Sequence, residues 1–286
     1  MDIAITYALL SLCFAGMNDV VFKRYSMKDR SRGAIVFGIG VVWALLQGFT
    51  LWGKGGALHL DPVTLGYGLA AGAMLALSNL LLIESLTHIE VSLGATIYRL
   101  NTIGVVLLSI LLLHESPGPL NLLGIGVGVV AVLLLARKPT SGKGAALQTG
   151  FVWLAIAASG LRALYGVTSK AGLNQGADTD TMLLVAALCW IAGGFLYARL
   201  REGRFRLTPK KALYALVSGM LVHLIVYFLL AAMQQGQASI VIPIANLSFV
   251  VALLISVAVG MERLSPRKLA AIGCASASIW LLALPL

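Results

Sequence analysis

Residues 91–135, VSLGATIYRLNTIGVVLLSILLLHESPGPLNLLGIGVGVVAVLLL, come back 147 residues later as 238–283, ASIVIPIANLSFVVALLISVAVGMERLSPRKLAAIGCASASIWLLA, each an apolar run, an acid with a turn, and a second apolar run. The echo spans the chain without gaps at that one offset: Lys23 meets Lys170, Trp43 meets Trp190, Gly72 meets Gly219, Ser92 meets Ser239, Ser109 meets Ser256 and Glu115 meets Glu262. Leu and Ala matches are expected by chance in so apolar a chain. The weight rests on these rarer residues and on apolar blocks that begin and end together. A fixed internal period sets architecture before any local reading does. The chain reads as a duplication, with units at 1–136 and 151–286 joined by a cytoplasmic linker over 137–150.

Hydrophobic residues make up 59% of the chain and charged ones 11%, against roughly 25% charged in soluble domains. Apolar runs of about 20 residues cross a hydrocarbon core of about 30 Å. Such runs fall at 3–22, 33–52, 63–86, 91–113 and 120–136 in the first unit, and at 151–170, 181–200, 211–233, 239–261 and 269–284 in the second. The pattern predicts an all-α polytopic membrane protein of ten transmembrane helices, five per unit. An outer-membrane barrel would instead alternate over segments of about 10 residues. No Lys or Arg precedes the first span and no small-residue cleavage site follows it, so it is read as a retained helix and the chain as starting at Met1. Cys13, Cys189 and Cys274 fall inside spans, as small buried residues rather than a disulfide or metal framework.

The net charge of +10 is a topology signal rather than a nucleic-acid one, because of where it lies. The loops after the first, fifth, seventh and ninth spans hold 17 Lys and Arg residues, whereas the even-numbered loops hold Lys54 and the boundary residue Lys170. The positive-inside rule places the odd loops in the cytoplasm and both termini outside, with anionic lipid a lesser partner for the same residues. An odd number of spans per unit makes the second unit enter the membrane opposite to the first, as inverted five-helix repeats. Such repeats put a pseudo-two-fold axis in the membrane plane, and many secondary transporters hold substrate at that interface and rock about it.

Residues 91–135 and 238–283 resemble the helix-acid-helix signature of the drug/metabolite transporter superfamily, and most closely its EamA-type carriers. The likeness covers nearly the whole chain through the span count, the duplication and the acid ending the fourth helix of each unit, Glu115 and Glu262. The resemblance implies a ten-helix carrier of small metabolites, an exporter in a bacterial inner membrane. Its central cavity would be lined mainly by the first, third, fourth, sixth, eighth and ninth helices. Members often carry proline several turns before that acid; here Thr102 and Phe249 stand there, with Pro243 lying earlier, a departure that bears on subgroup and substrate.

Ionisable groups inside a bilayer are costly and face a cavity or a partner, which makes Arg99 and Arg162 the sharpest signals. A guanidinium keeps its proton in proteins. Arg162 lies about 11 residues into the sixth span, roughly 16 Å at 1.5 Å per residue and close to the midplane. Ser159, Arg162, Tyr165, Gly166 and Ser169 share one face at helical spacing. On that small, polar stripe a guanidinium can grip a carboxylate or phosphate in bidentate fashion. The alternative is a structural pair with an acid such as Asp19 or Glu84. Arg99, early in the fourth span with Tyr98, Asn101 and Thr102 beside it, marks a second polar surface. Its duplicate is Asn246, so the predicted cavity is asymmetric in charge, as an asymmetric substrate requires. Its alternative reading is packing against helix-end carbonyls nearer the cytoplasm.

His223, Tyr227 and Gln234 form an i, i+4, i+11 stripe on the eighth span, Ser11 and Asn18 share a face of the first, and Asn79 lies in the third. These side chains offer hydrogen bonds to substrate or, as is common between membrane helices, satisfy one another. Histidine titrates near neutrality, so His223 is also a candidate proton carrier, although hydrogen bonding is the favoured role. Asp19 and Glu84, near the cytoplasmic ends of the first and third spans, are placed for proton relay or cation clamping, or are ordinary interfacial acids. Glu115 and Glu262 end their helices beside Ser116 and Pro117 and beside Arg263 and Pro266. Their recurrence argues for a structural gate, capping or loop pairing rather than catalysis. Gly68 with Gly72, and Gly124 with Gly128, allow close helix approach. Pro243 removes a backbone donor from the ninth span, and Trp43 and Trp190 read as matched packing.

No nucleotide-binding glycine loop, zinc-ligand cluster or nucleophile with partners is present, and the loops are too short for a soluble catalytic domain. That argues against a primary pump and against an enzyme. Single rather than ringed intramembrane charges fit alternating access better than a channel. The expected function is secondary active export of a small amphipathic, amino-acid-like metabolite with an anionic group. Arg162 would bind the anion, with Arg99, Tyr98, Tyr165, His223, Tyr227, Asn246, Asn18 and Asn79 as further candidate contacts. Asp19, Glu84, Glu115 and Glu262 are candidate coupling or gating acids. The alternative is an exporter of lipophilic or quaternary cations that uses Asp19 or Glu84 with aromatic walls. Expected partners are a small-molecule substrate, the lipid bilayer and a coupling proton, with no nucleic acid, metal or cofactor, in a monomer or weak homodimer.

Overall fold

A computed structural model of the chain describes residues 2–26, 31–85, 97–135, 145–203, 205, 208–261 and 263–284. All regular structure among them is helical: α1 (Ile3–Ser26), α2 (Arg32–Gly53), α3 (Pro62–Ser85), α4 (Asn101–Leu113), α5 (Pro119–Leu135), α6 (Ala145–Asn174), α7 (Thr179–Leu200), α8 (Pro209–Gln235), α9 (Ala238–Asn246), α10 (Phe249–Ala258) and α11 (Pro266–Ala283). The elements follow the predicted spans in order, with α9 and α10 sharing the ninth. Among the described residues seven stretches, α9 with α10 counting as one, are long and apolar enough to cross a membrane, and two apolar helices are shorter, Ile97–Leu113 and Pro119–Leu134. The last span falls on α11, 18 residues whose first turn holds Arg267 and Lys268. The all-helical polytopic fold therefore holds, while ten full-length crossings are only partly met by the described helices. The start of the fourth span, Ser92 included, and residues 137–144 of the linker lie outside the described residues; α6 begins at Ala145, ahead of the predicted 151.

Proline and small polar residues decide where these helices start. α3, α5, α8 and α11 open at Pro62, Pro119, Pro209 and Pro266, first-turn positions where the missing N–H would have no helical partner anyway. Pro62 with Pro209, and Pro119 with Pro266, are two more matches at the 147-residue offset. Before α7, α8 and α11, the side chains of Asp178, Thr208 and Ser265 accept from Thr181, Lys211 and Lys268 N–H, which satisfies donors that the helix leaves free.

The two units interlock. α3 packs on α6 as α8 packs on α1, and α3 packs on α7 as α8 packs on α2; α2 also pairs with its own mate α7, and α5 with its mate α11. Exchanging repeat mates turns each contact into another that is present, which is what a pseudo-two-fold axis requires. Repeat mates touch at that axis. Trp43 and Trp190 stack edge to face, centroids 6.0 Å apart with planes at 79°, and Arg99 donates to the carbonyl of Asn246. Glycine sets the crossing distance: a Cβ on Gly72 would come within 2.6 Å of Ala186 Cα, and one on its mate Gly219 within 2.5 Å of Val42 Cβ. A larger side chain there must push helices apart, at a cost of about 1–3 kcal/mol. Gly124 and Gly128 lie slightly less closely on α11: a Cβ there would come within 3.0 Å of Leu281 Cβ and 2.8 Å of Ser278 Oγ.

Candidate substrate site

The fourth and ninth spans break at equivalent positions. Leu100 and Leu247, 147 residues apart, take ψ close to zero, −1° and 12°. The ladder tightens there to i−3 bonds: Leu100 N–H donates to Ile97 O, Ile103 to Leu100 O, Leu247 to Ile244 O and Val250 to Leu247 O. In α9, Pro243 has no N–H and crowds the preceding turn. In the fourth span, side chains compete with the helix instead. Asn101 donates to Tyr98 O at 2.7 Å and Thr102 to Arg99 O at 3.2 Å, holding carbonyls that the ladder has released.

The two breaks are bonded to each other across the repeat interface. Asn246 Nδ2 donates to Asn101 Oδ1 at 2.8 Å and Thr102 Oγ1 at 2.9 Å. In return, Arg99 Nη1 donates to Asn246 O at 2.9 Å and Ser248 Oγ at 3.0 Å. Arg99 Nη2 meets Asp19 Oδ2 of α1 at 2.6 Å, and Ser248 donates to the same oxygen at 3.3 Å. The Phe249 ring stands 5.6 Å from the guanidinium carbon. Behind this network a cavity of about 10 Å³ is lined by Arg99, Thr102, Pro243, Asn246 and Ser278 among others, room for at most one water.

Arg162 is placed differently. Its neighbour Ser159 lies 3.5 Å from Tyr98 O; Ser78 of α3 donates to Ala158 O at 2.8 Å and has its Oγ 3.3 Å from Tyr98 Oη, so Tyr98 is held between α3 and α6. On α6, Ala158, Ser159, Tyr165, Gly166 and Ser169 are buried, whereas Trp153, Ile156 and Gly160 are exposed. Arg162 lies on the buried face and is itself only partly buried. Its guanidinium carbon stands 5.2 Å from the Tyr165 ring. No acid or hydrogen-bond acceptor partners it among the described residues.

The other expected site residues are dispersed. Asn18 is buried, and its Oδ1 is without a partner among the described residues; Asn79 donates within its own helix to Leu75 O at 2.8 Å. The His223 and Tyr227 rings lie tilted at 32° with centroids 6.2 Å apart, Lys54 sits 5.4 Å from the Tyr227 ring centre, and Gln234 bonds to Thr179. No bond joins that stripe to Arg99 or Arg162 among the described residues. Glu84 accepts from Tyr197 at 2.7 Å and lies 3.4 Å from Arg201, tying α3 to α7. Just beyond α2, Lys54 pairs with Asp180 at 2.6 Å, and Gln47 donates to that carboxylate at 3.0 Å. Burial pulls the Lys54 ammonium down, but the bond and charge of Asp180 outweigh it and hold the group above its ordinary value. No group of three His, Cys, Asp or Glu is placed to hold a metal among the described residues.

Glu115 and Lys170 work on one turn. His114 ends α4 in the left-handed conformation, φ 54°, and Glu115 beyond it accepts from Ala238 and Ser239 N–H, both at 2.8 Å. A carboxylate at a helix N-terminus satisfies free donors and complements the dipole. Lys170 donates to Met233 O at 2.5 Å and Gly236 O at 2.9 Å. Side chains from before α5 and from α6 thus hold the connection between α8 and α9. Glu262 and the side chain of Lys23, their repeat mates, lie outside the described residues. Sequence reasoning had not marked Ser248, Lys170 or Asp180 as site residues. Ser248 did carry a signal: it is the repeat mate of Asn101, so both breaks place a polar side chain at one register.

The model of the EamA-like transporter family matches residues 2–137 and again 149–284, two copies displaced by the same 147 residues. The chain belongs to the EamA-like transporter family. This EamA-like chain is accordingly an integral, multi-pass membrane transporter of the drug/metabolite type, and its family is one of transporters rather than enzymes. A solved structure described only as "Crystal structure of protein" matches 98% of this chain over 96% of its own length, with a TM-score of 0.85 and 15% identity; at that identity the likeness concerns the fold alone. A comparison with curated protein sequences gives no match.

Proposed function

We propose that this EamA-like chain is a secondary active transporter that exports a small amphipathic, amino-acid-like metabolite with an anionic group by alternating access. The observation that carries this reading is Arg162, a guanidinium on the buried face of a spanning helix with no acid beside it among the described residues. A bare charge at that depth is costly, and a substrate carboxylate bound through two parallel N–H bonds offsets that cost. Tyr165 and Tyr98 flank the position, and the apolar bundle receives the carbon skeleton. Asp19 and Glu84, the acids a cation exporter would use, are engaged by Arg99 and by Tyr197 with Arg201, which favours the anion. Glu115 and Lys170 supply the closing contact at the end that the basic odd loops place outside, and access from there opens as their bonds to 233–239 part.

Uptake into proteoliposomes of three labelled probes sharing one branched apolar chain tests this reading: leucine, 4-methylpentanoate and isopentylamine. Leucine and 4-methylpentanoate are expected to enter, and Arg162→Ala to remove both. Uptake of isopentylamine alone, lost on Asp19→Asn, would overturn the anion reading in favour of a cation carrier.

A further inference from the structure

We infer that Arg99 is a positioning residue rather than an anion ligand: it cancels the charge of Asp19 and, together with Asn246, stitches the two helix breaks to each other at the pseudo-two-fold axis. Both hydrogens of Nη1 are used, on Asn246 O and Ser248 Oγ, Nη2 is on Asp19, and the Phe249 ring lies against the group. The Arg99 side chain is 21% exposed, so little of it faces open space. Broken helices inside a bilayer persist only where their released carbonyls find donors. Arg99 supplies one to the α9 break, while the amide of Asn246 returns to Asn101 and Thr102, which themselves cap Tyr98 O and Arg99 O. Within the network the hydroxyls of Thr102 and Ser248 each donate one bond and accept another.

Charge logic separates this role from that of Arg162. A substrate carboxylate on Arg99 would join Asp19 and put two carboxylates around one cation. Breaking such a pair by removing one partner leaves an uncompensated charge, the costly outcome for a buried ion pair. Removing both partners together leaves none. The arrangement thus keeps Arg162 as the cation available to substrate, and Arg99 acts on transport through the position of the breaks beside it.

The transport arm of the test rests on the anionic substrate proposed above; the thermal arm does not. Arg99→Met, Asp19→Asn and the double variant are compared with Arg162→Met in leucine uptake, resolving KM from maximal rate, and in melting temperature in detergent. Arg99→Met alone leaves Asp19 without its counter-charge and is expected to raise KM about tenfold, and adding Asp19→Asn to bring it back within about threefold of wild type with a lower maximal rate. The KM defect of Arg162→Met is expected to stay when Asp19→Asn is added. Arg99→Lys keeps the pair but cannot span Asp19 and Asn246 at once, so its KM is expected near wild type with a reduced maximal rate. A double variant as defective in KM as Arg99→Met, or an Arg99→Lys defect in KM of the same size, overturns the inference. If the wild type takes up neither leucine nor 4-methylpentanoate, the anionic-substrate reading fails by itself and the melting temperatures decide. Recovery in the double variant relative to Arg99→Met supports the pairing role, and additive losses overturn it.

Discussion

Arg99 and Arg162 are the same chemical group on neighbouring membrane helices, and the fold treats them in opposite ways. Arg99 meets Asp19 at 2.6 Å and bonds to Asn246 and Ser248, so its charge is cancelled within the protein. Arg162 has the Tyr165 ring at 5.2 Å and no acid among the described residues. An intramembrane charge therefore marks a binding role only once its neighbours are known: a paired one belongs to the scaffold, and an unpaired one calls for a counter-ion from outside. The contrast also follows the broken symmetry of the repeat. The mates of Arg99, Arg162 and Asp19 are Asn246, Ala15 and Gly166, so all three charges stand in one copy only.

The comparison breaks most directly at Arg162. Charged hydrogen bonds are worth about 1.5–3 kcal/mol each, so losing the two from Arg162 in Arg162→Ala is expected to raise KM for 4-methylpentanoate by roughly 100-fold or more. Its melting temperature should stay level or rise, because no acid among the described residues loses a partner. A fall of many degrees would put Arg162 in the scaffold with Arg99. Asp19→Asn should do the reverse, lowering stability by roughly 1–3 kcal/mol, with the lower half of that range favoured because the Asp19 side chain is 38% exposed and partly screened. Thermal shift in detergent reads this, and an unchanged melting temperature would show that Arg99 does not depend on its partner.

A smaller effect is expected at the turn held by Glu115 and Lys170. Lys170→Met removes two bonds to the end of α8. A cysteine placed at Ser239, in a background lacking Cys13, Cys189 and Cys274, should then react with a membrane-impermeant thiol reagent a few-fold faster, as about 1 kcal/mol of closing energy is lost. Equal labelling rates would remove the gate role. The smallest effect sharpens the comparison with an ion pair outside the bilayer. Lys54–Asp180 is as short as Arg99–Asp19, yet Lys54 is 46% exposed, so Lys54→Met should cost less than about 1 kcal/mol. Because the Lys54 ammonium titrates above its ordinary 10.5 in the folded state, that contribution should be fully present below pH 10.5 and lost as pH rises through the raised value. Melting curves of wild type and Lys54→Met should converge at high pH, and a gap that widens there would contradict the pairing.

Much of the fold was legible because it is written in run length and period. The prolines that open α3, α5, α8 and α11 and the crossing glycines Gly72 and Gly219 recur at 147 residues as the rarer matches do. Both arginines were also legible, since any charge stands out in an apolar run. The break at Leu100 was not: it has no proline of its own at that turn, and it exists because Asn101 and Thr102 hold the carbonyls while Asn246 closes on them from the other unit. The His223–Tyr227 stripe was readable as a face, but not the neighbours that face would meet, Lys54 above Tyr227 and Thr179 beside Gln234.

The sequence by itself determined the membrane class, the helical type and the duplication, because apolar run length, loop charge and a repeat offset are properties of the chain taken in order. Only the tertiary structure decided which arginine is already neutralised. Asp19 lies 80 residues from Arg99, and an ion pair inside a bilayer acts over a few ångströms between side chains that sequence order does not relate. How α1 and the two broken spans cross brings that acid to one guanidinium and leaves the other with no acid among the described residues.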